Sequence, residues 1–138
     1  MRELPGQLSR AELEELFSGP SMLVSVLAEL DDPLGRAEEV ATGLAEEDKI
    51  AALGGHPRIG EPSPEQHGGD PAVLTELVYL NQVYEEKFGF RFVVFVAGRP
   101  RHEVLEVLRE RIANTREEEL DTGIKELVAI AQDRWRSR

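Results

Sequence analysis

The sequence predicts an all-α fold, a single-domain multi-helix bundle with one buried extended segment at about residues 90–96. Three observations support this. Apolar residues recur at spacings of three and four through most of the chain. Helix-start signals precede several of these segments. Only one run has the composition of a β-strand, and a strand without a partner is not stable. A length of 138 residues fits one domain over residues 1–138.

Start and stop signals place the helices of the N-terminal half. Ser9 and Glu12 form a capping-box pattern, and Asp32 followed by Pro33 is an N-cap with proline at the first helical position. Four helices are predicted here: one after Ser9, one over about Ser21–Leu30, one from Pro33 toward Leu44 and one over about Glu46–Leu53.

The C-terminal half has the clearer periodicity. A long helix is predicted from Pro71 to Phe88, because an apolar stripe runs along it and Gly89 follows. Thr115 and Glu118 form a second capping box. The stripe consists of Leu77, Leu80, Tyr84 and Phe88, and two further helices are predicted over Arg101–Asn114 and from Thr115 to about Arg136.

The segment between these helices, Phe90–Val96, has strand propensity. Since no second strand is evident, we expect it to be extended and buried inside a helical protein. Its backbone N–H and C=O groups then need hydrogen-bond partners. A ligand, side chains and water are the three candidates.

Composition excludes several function classes. The chain has no cysteine, so disulfides and thiolate sites are excluded, and a cytoplasmic location is expected. Its net charge of −11 disfavours nucleic acid as a partner. No apolar run approaches the roughly 20 residues of a membrane span, so no membrane partner is expected.

The stretch Gly54–Gln66, GGHPRIGEPSPEQ, is predicted to be a loop because of its glycines and prolines. Such loops often carry functional groups. His56 in this loop has two interpretations. It is either a proton carrier working beside a carboxylate or a structural histidine that bonds nearby backbone.

Two polar residues fall where apolar ones are expected. Arg134 continues the inward stripe of Ile124, Leu127 and Ala131 on the last helix, and Asn81 lies within the stripe of the long helix. An inward charge is unfavourable unless it is paired. The alternatives are that Arg134 extends to water and that Asn81 caps a neighbouring backbone. Together, His56, a nearby Glu-Gln pair and an inward Arg indicate an acid/base site for a small anion, but spacing does not identify a reaction.

Five stretches resemble a known family, the 2-oxo-4-hydroxy-4-carboxy-5-ureidoimidazoline (OHCU) decarboxylases. They occur in the family's order and span about Gly54 to Trp135. They are GGHPRIG at 54–60, PEQ at 64–66, LNQVYEEKFGFRFVVFVAGR at 80–99, RIAN at 111–114 and IAQDRW at 130–135.

The resemblance implies an all-helical enzyme that uses no cofactor or metal and acts on a small-molecule ureide. The family converts OHCU to (S)-allantoin and CO2 in urate breakdown, and its members often form homodimers. By position, the resemblance implies catalytic roles for His56 and Glu65. It also implies that Pro57, Gln66 and Arg134 contact the substrate. The backbone of the extended segment from Phe92 to Val94 is implied to contact it as well.

The sequence departs from the family pattern in the loop. Glu65 follows His56 by nine residues, whereas family members usually have many more residues between them, and Pro62 stands where the family often has serine. Two alternatives therefore stay open. One is a non-catalytic, degenerate helical binding module of the same fold, and the other is a hydrolase that uses His56 and Glu65 with water.

Overall fold

A computed structural model of the chain describes residues 3–58 and 70–138. Helices account for most of this part, and it contains no β-strand, so the predicted all-α fold is confirmed. The helices are α1 (Arg10–Leu16), α2 (Met22–Leu27), α3 (Pro33–Thr42), α4 (Glu46–Gly54), α5 (Pro71–Phe88), α6 (Arg101–Ile112) and α7 (Arg116–Arg136). None of the helices in the described ranges is long and apolar enough to cross a bilayer.

The last helix, α7, organises the packing. It contacts α1, α3 and α4, while α5 packs mainly against α6. Its predicted inward stripe is buried, because residues at this spacing lie on one face of a helix. The stripe residues Leu120, Ile124, Leu127 and Ala131 are all part of the core.

The predicted capping boxes at Ser9 and Thr115 are both present. Asp32 is the N-cap of α3 with Pro33 after it, as predicted, but its conformation is unusual. It has a left-handed backbone (φ 51°) and makes no side-chain cap. Its N–H instead donates to the carbonyl of Gly6 at 2.7 Å, a contact outside the helix that sequence pattern does not reveal.

Helix α2 ends at Leu27, three residues before the predicted end at Leu30. The chain tightens there: the N–H of Glu29 bonds the carbonyl of Val26, and that of Leu30 bonds the carbonyl of Leu27. Such three-residue bonds are common where a helix ends.

Residues 90–96 are extended, and Phe92 and Val93 are almost fully buried, as predicted. Side chains supply partners for several of their backbone groups. Arg111 donates to the carbonyl of Val93 at 2.7 Å, and Glu126 accepts from the N–H of Phe95 at 3.2 Å. Of the three kinds of partner expected for this segment, side chains therefore account for these bonds.

A buried polar network fixes the segment against α5, α6 and α7. Glu119 Oε1 accepts from the Tyr84 hydroxyl at 2.6 Å and from Arg111 Nε at 2.7 Å, and Oε2 accepts from Asn114 at 2.9 Å. Burial, followed by the hydrogen bond to Glu119, raises the pKa of Tyr84 well above its usual value. The phenol therefore stays protonated and serves as a donor.

Candidate active site

His56 lies just after α4 and is buried, with 7 % of its surface exposed. Its N–H donates to the carbonyl of Leu53 at 3.2 Å. Arg91 Nη1 donates to the carbonyls of Gly54 at 2.8 Å and His56 at 2.7 Å. The extended segment therefore holds the turn that carries His56, through a residue that the sequence did not single out.

A groove of about 560 Å³ opens beside this turn. That volume lies in the usual range for small-molecule sites. Two of the predicted substrate contacts, Pro57 and Arg134, line it together. Among the residues that the structure describes, the groove is lined by Glu15, Ser18, Pro57, Asp133, Arg134, Ser137 and Arg138.

Arg134 is half-buried and turned toward the end of α1. Its Nη1 donates to the carbonyl of Leu16 at 3.1 Å and to the Ser18 hydroxyl at 2.7 Å. The inward direction predicted from the α7 stripe is therefore found. The two contacts turn this charge toward the groove instead of leaving it to extend into water.

Sequence reasoning missed Ser18, which lines the groove and bonds Arg134. Its backbone is left-handed, with φ 64°. The only local signal was its place directly before Gly19-Pro20, where a helix was expected to end. Neither hydropathy nor periodicity marks a serine in that position.

The structure describes three other predicted site residues, His56, Phe92 and Val94, and His56 does not itself line this groove. Phe92 and Val94 are buried, 1 % and 5 % exposed, and they do not line it. Glu65 and Gln66 lie outside the described residues. The structure therefore brings Pro57 and Arg134 together next to the turn of His56, and leaves the roles of Glu65, Gln66 and the extended segment as predictions.

Arg58 connects the same turn to α5. Its Nε and Nη2 contact the two carboxylate oxygens of Glu85 at 2.9 and 3.2 Å. Asn81, correctly predicted to point inward, donates to Glu85 at 2.9 Å, so its Nδ2 bonds a side chain instead of capping a backbone. Through Glu85, α5 thus positions the residues directly after His56.

In the described part of the chain, no three His, Asp or Glu side chains are grouped to hold a metal ion. The acidic and basic side chains that line the groove, within the same described ranges, are those of Glu15, Asp133, Arg134 and Arg138. Glu15 and Arg138 pair with each other at 2.8 Å. The arrangement suits a small polar molecule with an anionic or carbonyl oxygen, which Arg134 can contact with its planar fork of donors.

The sequences of several curated proteins align with this chain at low identity. A uric acid degradation bifunctional protein of Bacillus sp. (strain TB-90) is 24% identical over 150 residues, covering 93% of this chain and 30% of its own. The uric acid degradation bifunctional protein TTL of Arabidopsis thaliana is 31% identical over 102 residues, covering 62% of this chain and 32% of its own. The chain thus spans about a third of the length of these relatives.

Solved structures share the fold. A crystal structure of an OHCU decarboxylase in the presence of (S)-allantoin matches with a TM-score of 0.80 at 26% identity, over 89% of this chain and 94% of that one. A crystal structure of an (S)-allantoin synthase matches with a TM-score of 0.72 at 20% identity, over 93% of this chain and 48% of that one. The second likeness is one of fold alone.

The family model of the OHCU decarboxylases matches residues 9–136. This match includes α1, which is followed by Ser18, as well as α4, which is followed by His56, and α7, which carries Arg134. Because the match covers nearly all of the sequence, the chain belongs to the OHCU decarboxylase family.

Proposed function

We propose that this chain decarboxylates OHCU to (S)-allantoin and CO2 in urate breakdown. One observation carries the proposal beyond family membership. Arg134 lines the same groove as Pro57, the residue directly after the buried His56. A cation fixed at a small groove, with a buried imidazole on the residue next to one that lines it, is suited to acid/base chemistry on a small anion.

The substrate itself provides the electron sink. Its leaving carboxylate is on a carbon that also carries a hydroxyl and lies next to a C=N bond. When the bond to the carboxylate breaks, CO2 departs and the electron pair moves into that C=N bond, whose nitrogen takes up a proton. Loss of the hydroxyl proton then leaves a carbonyl, and a proton added to the neighbouring carbon gives allantoin. Delivery of that proton to one face sets the S configuration.

The protein has to move protons and fix the carboxylate out of the conjugated plane. We assign the base on the substrate hydroxyl to His56, with Glu65 assisting proton transfer and orientation. Gln66 bonds the ureido or ring amide, and Arg134 holds an anionic or carbonyl oxygen. The backbone at Phe92 and Val94 completes the contacts in this proposal.

The proposal also includes the location and the assembly of the protein. A cysteine-free chain with no membrane-spanning helix in its described residues fits an enzyme that works in the cytoplasm. A homodimer is the assembly that we propose, since family members often pair.

The test is CO2 release from freshly generated OHCU by the wild type and by His56→Ala and Glu65→Gln. We expect His56→Ala to lower kcat by roughly 10²–10⁴-fold, the usual size of a general acid/base contribution. His102→Ala is the matched control, because His102 is exposed on α6 and lies outside the groove. It should keep the wild-type rate.

The outcomes separate the proposal from its two alternatives. If OHCU is consumed without CO2, the protein is a hydrolase. If it binds (S)-allantoin but leaves OHCU to its slow spontaneous decay, it is a binding module, which the short spacing between His56 and Glu65 would favour. A full rate in His56→Ala would refute the assignment of the base.

A further inference from the structure

Ser18 lies where the end of α1 meets two other elements. It is the second residue after the helix, and its φ of 64° is in the left-handed region, which is unfavourable for a residue with a side chain. Such conformations persist where surrounding contacts determine them, and they are frequent at functional sites. The contacts of Ser18 therefore indicate what this conformation does.

One contact reaches α7. The Ser18 hydroxyl accepts a hydrogen bond from Arg134 Nη1 at 2.7 Å, and the carbonyl of Leu16 accepts from the same nitrogen at 3.1 Å. Two oxygens at the end of α1 thus hold one corner of the guanidinium. With that corner fixed, the side chain has fewer orientations to lose when it binds a ligand.

A second contact reaches the turn of His56. A Cβ placed on Gly55 would lie 3.2 Å from the carbonyl oxygen of Ser18, so the two backbones approach closely at this point. Gly55 directly precedes His56 in the sequence. The same serine therefore touches Arg134 through its side chain and the His56 turn through its backbone.

From this geometry we infer that Ser18 is a positioning residue, whose hydroxyl orients the Arg134 guanidinium in the groove beside Pro57. The left-handed backbone directs the hydroxyl toward α7, and the hydroxyl fixes the cation before the substrate arrives. This inference rests on the proposed function, because it gives Arg134 the role of holding a substrate oxygen.

Two substitutions separate the effect of the Ser18 hydroxyl from the effect of its left-handed backbone. Ser18→Ala and Ser18→Gly both remove the contact to Arg134, but only glycine also relieves the left-handed strain. We expect KM for OHCU to rise roughly tenfold or more in both variants, as for a lost hydrogen bond to a charged group. Relative to the wild type, Tm should fall in Ser18→Ala and stay level or rise in Ser18→Gly.

A purely structural role would make KM follow stability, so the Gly variant would bind at least as well as the wild type. Ala97→Gly is the matched control for strain relief. Ala97 is exposed, has φ 52° and lies outside the groove. Its replacement should raise Tm and leave KM unchanged.

Positioning is also measurable without substrate. Nitrogen-15 NMR of the Arg134 side chain reports how fast its guanidinium rotates, and we expect faster rotation in Ser18→Gly. An inactive wild type would refute the proposed function, whereas the rotation rate would still decide whether Ser18 holds Arg134. Unchanged rotation in Ser18→Gly, or an unchanged KM in an active protein, would overturn the inference.

Discussion

At the scale of single residues, Glu119 shows how a charge is accommodated inside this fold. Its side chain is fully buried, and Arg111, Tyr84 and Asn114 all donate to its two oxygens. The Arg111 guanidinium in turn stacks 4.6 Å from the ring centre of Phe92 and donates to the carbonyl of Val93. The ion pair therefore connects α5, α6 and α7 to the extended segment.

Removing one member of this network should be strongly destabilising. We expect Glu119→Ala to lower the free energy of unfolding by about 3–5 kcal/mol, because the charge of Arg111 would stay buried without its partner. Urea denaturation measures this. The matched control on the same helix is Asp121→Ala, which breaks the exposed pair with Lys125 and should change stability by less than about 1 kcal/mol. Equal effects of the two substitutions would contradict the role of burial.

Only a weak signal for this pair is present in the sequence, and the composition around Glu119 hides it. Glu119 is the third of three consecutive glutamates, Glu117–Glu119, a pattern typical of a solvated helix start. Yet it lies eight residues before Leu127, on the inward face of α7, and Arg111 lies three residues after the buried Leu108. The periodicity that identified Arg134 also applies to these two charges.

At the scale of elements, the end of α4 fixes the site through a close backbone contact. Gly54 has open space around its Cβ position, whereas a Cβ on Gly55 would lie 3.2 Å from the Ser18 carbonyl oxygen. The neighbouring glycines thus have different functions. Gly54 belongs to the last turn of the helix, and Gly55 allows the end of α1 to approach the His56 turn.

Alanine at each position tests this difference. Gly55→Ala should lower kcat/KM for OHCU about tenfold, because the chain must shift by a few tenths of an ångström and a displacement of about 1 Å costs roughly 10²-fold. Gly54→Ala should keep full activity and gain up to about 1 kcal/mol of stability, since alanine favours the helix. Equal activity in both variants would show that the close contact does not matter to the site.

The capping box of α7 should give stability a defined pH dependence. The hydrogen bond from the Thr115 backbone lowers the pKa of Glu118 below its usual 4.5. This contribution is therefore fully present above the unfolded-state pKa and is lost as the pH falls through the lower folded-state pKa.

Glu118→Gln keeps the shape of the cap but does not titrate. At about pH 7 the wild type should unfold at a higher temperature than this variant, and the difference should disappear once the pH falls below the folded-state pKa of Glu118. Thermal unfolding at a series of pH values measures it. A difference that stays constant through this range would show that the carboxylate is not what stabilises the cap.

Most elements of this fold were predictable because their signals are local. The capping boxes at Ser9 and Thr115 and the apolar stripe of α5 each depend on a few neighbouring residues. The left-handed backbone of Asp32 was not predictable, because it accompanies a contact to the distant Gly6. The early end of α2 was not predictable either, because it depends on the hydrogen bonds of the last turn.

At the scale of the whole molecule, the groove forms because the ends of the chain meet. Arg134 and Ser18 are 116 positions apart in the sequence, and α7 packs against α1 and α4 at once. The inward direction of Arg134 was predicted from periodicity. That it would meet Ser18 and Pro57 was not, because single-sequence periodicity gives the face of a helix but not which helices pack against it.

The resemblance to the OHCU decarboxylases supplied what periodicity could not. It implies that His56, Pro57 and Arg134 belong to one site, and the structure places Pro57 and Arg134 on one groove. It did not reveal the contacts of Ser18 and Arg91, because these depend on how this chain packs around the motif residues.

The most direct measurement is the handedness of the allantoin formed, followed by circular dichroism as fresh OHCU decays with and without the protein. A decarboxylase that protonates one face gives a growing signal of the S enantiomer with the wild type. With His56→Ala the signal should fall to the level of the spontaneous reaction. Racemic allantoin at the spontaneous rate in the presence of the wild type would contradict the proposed activity.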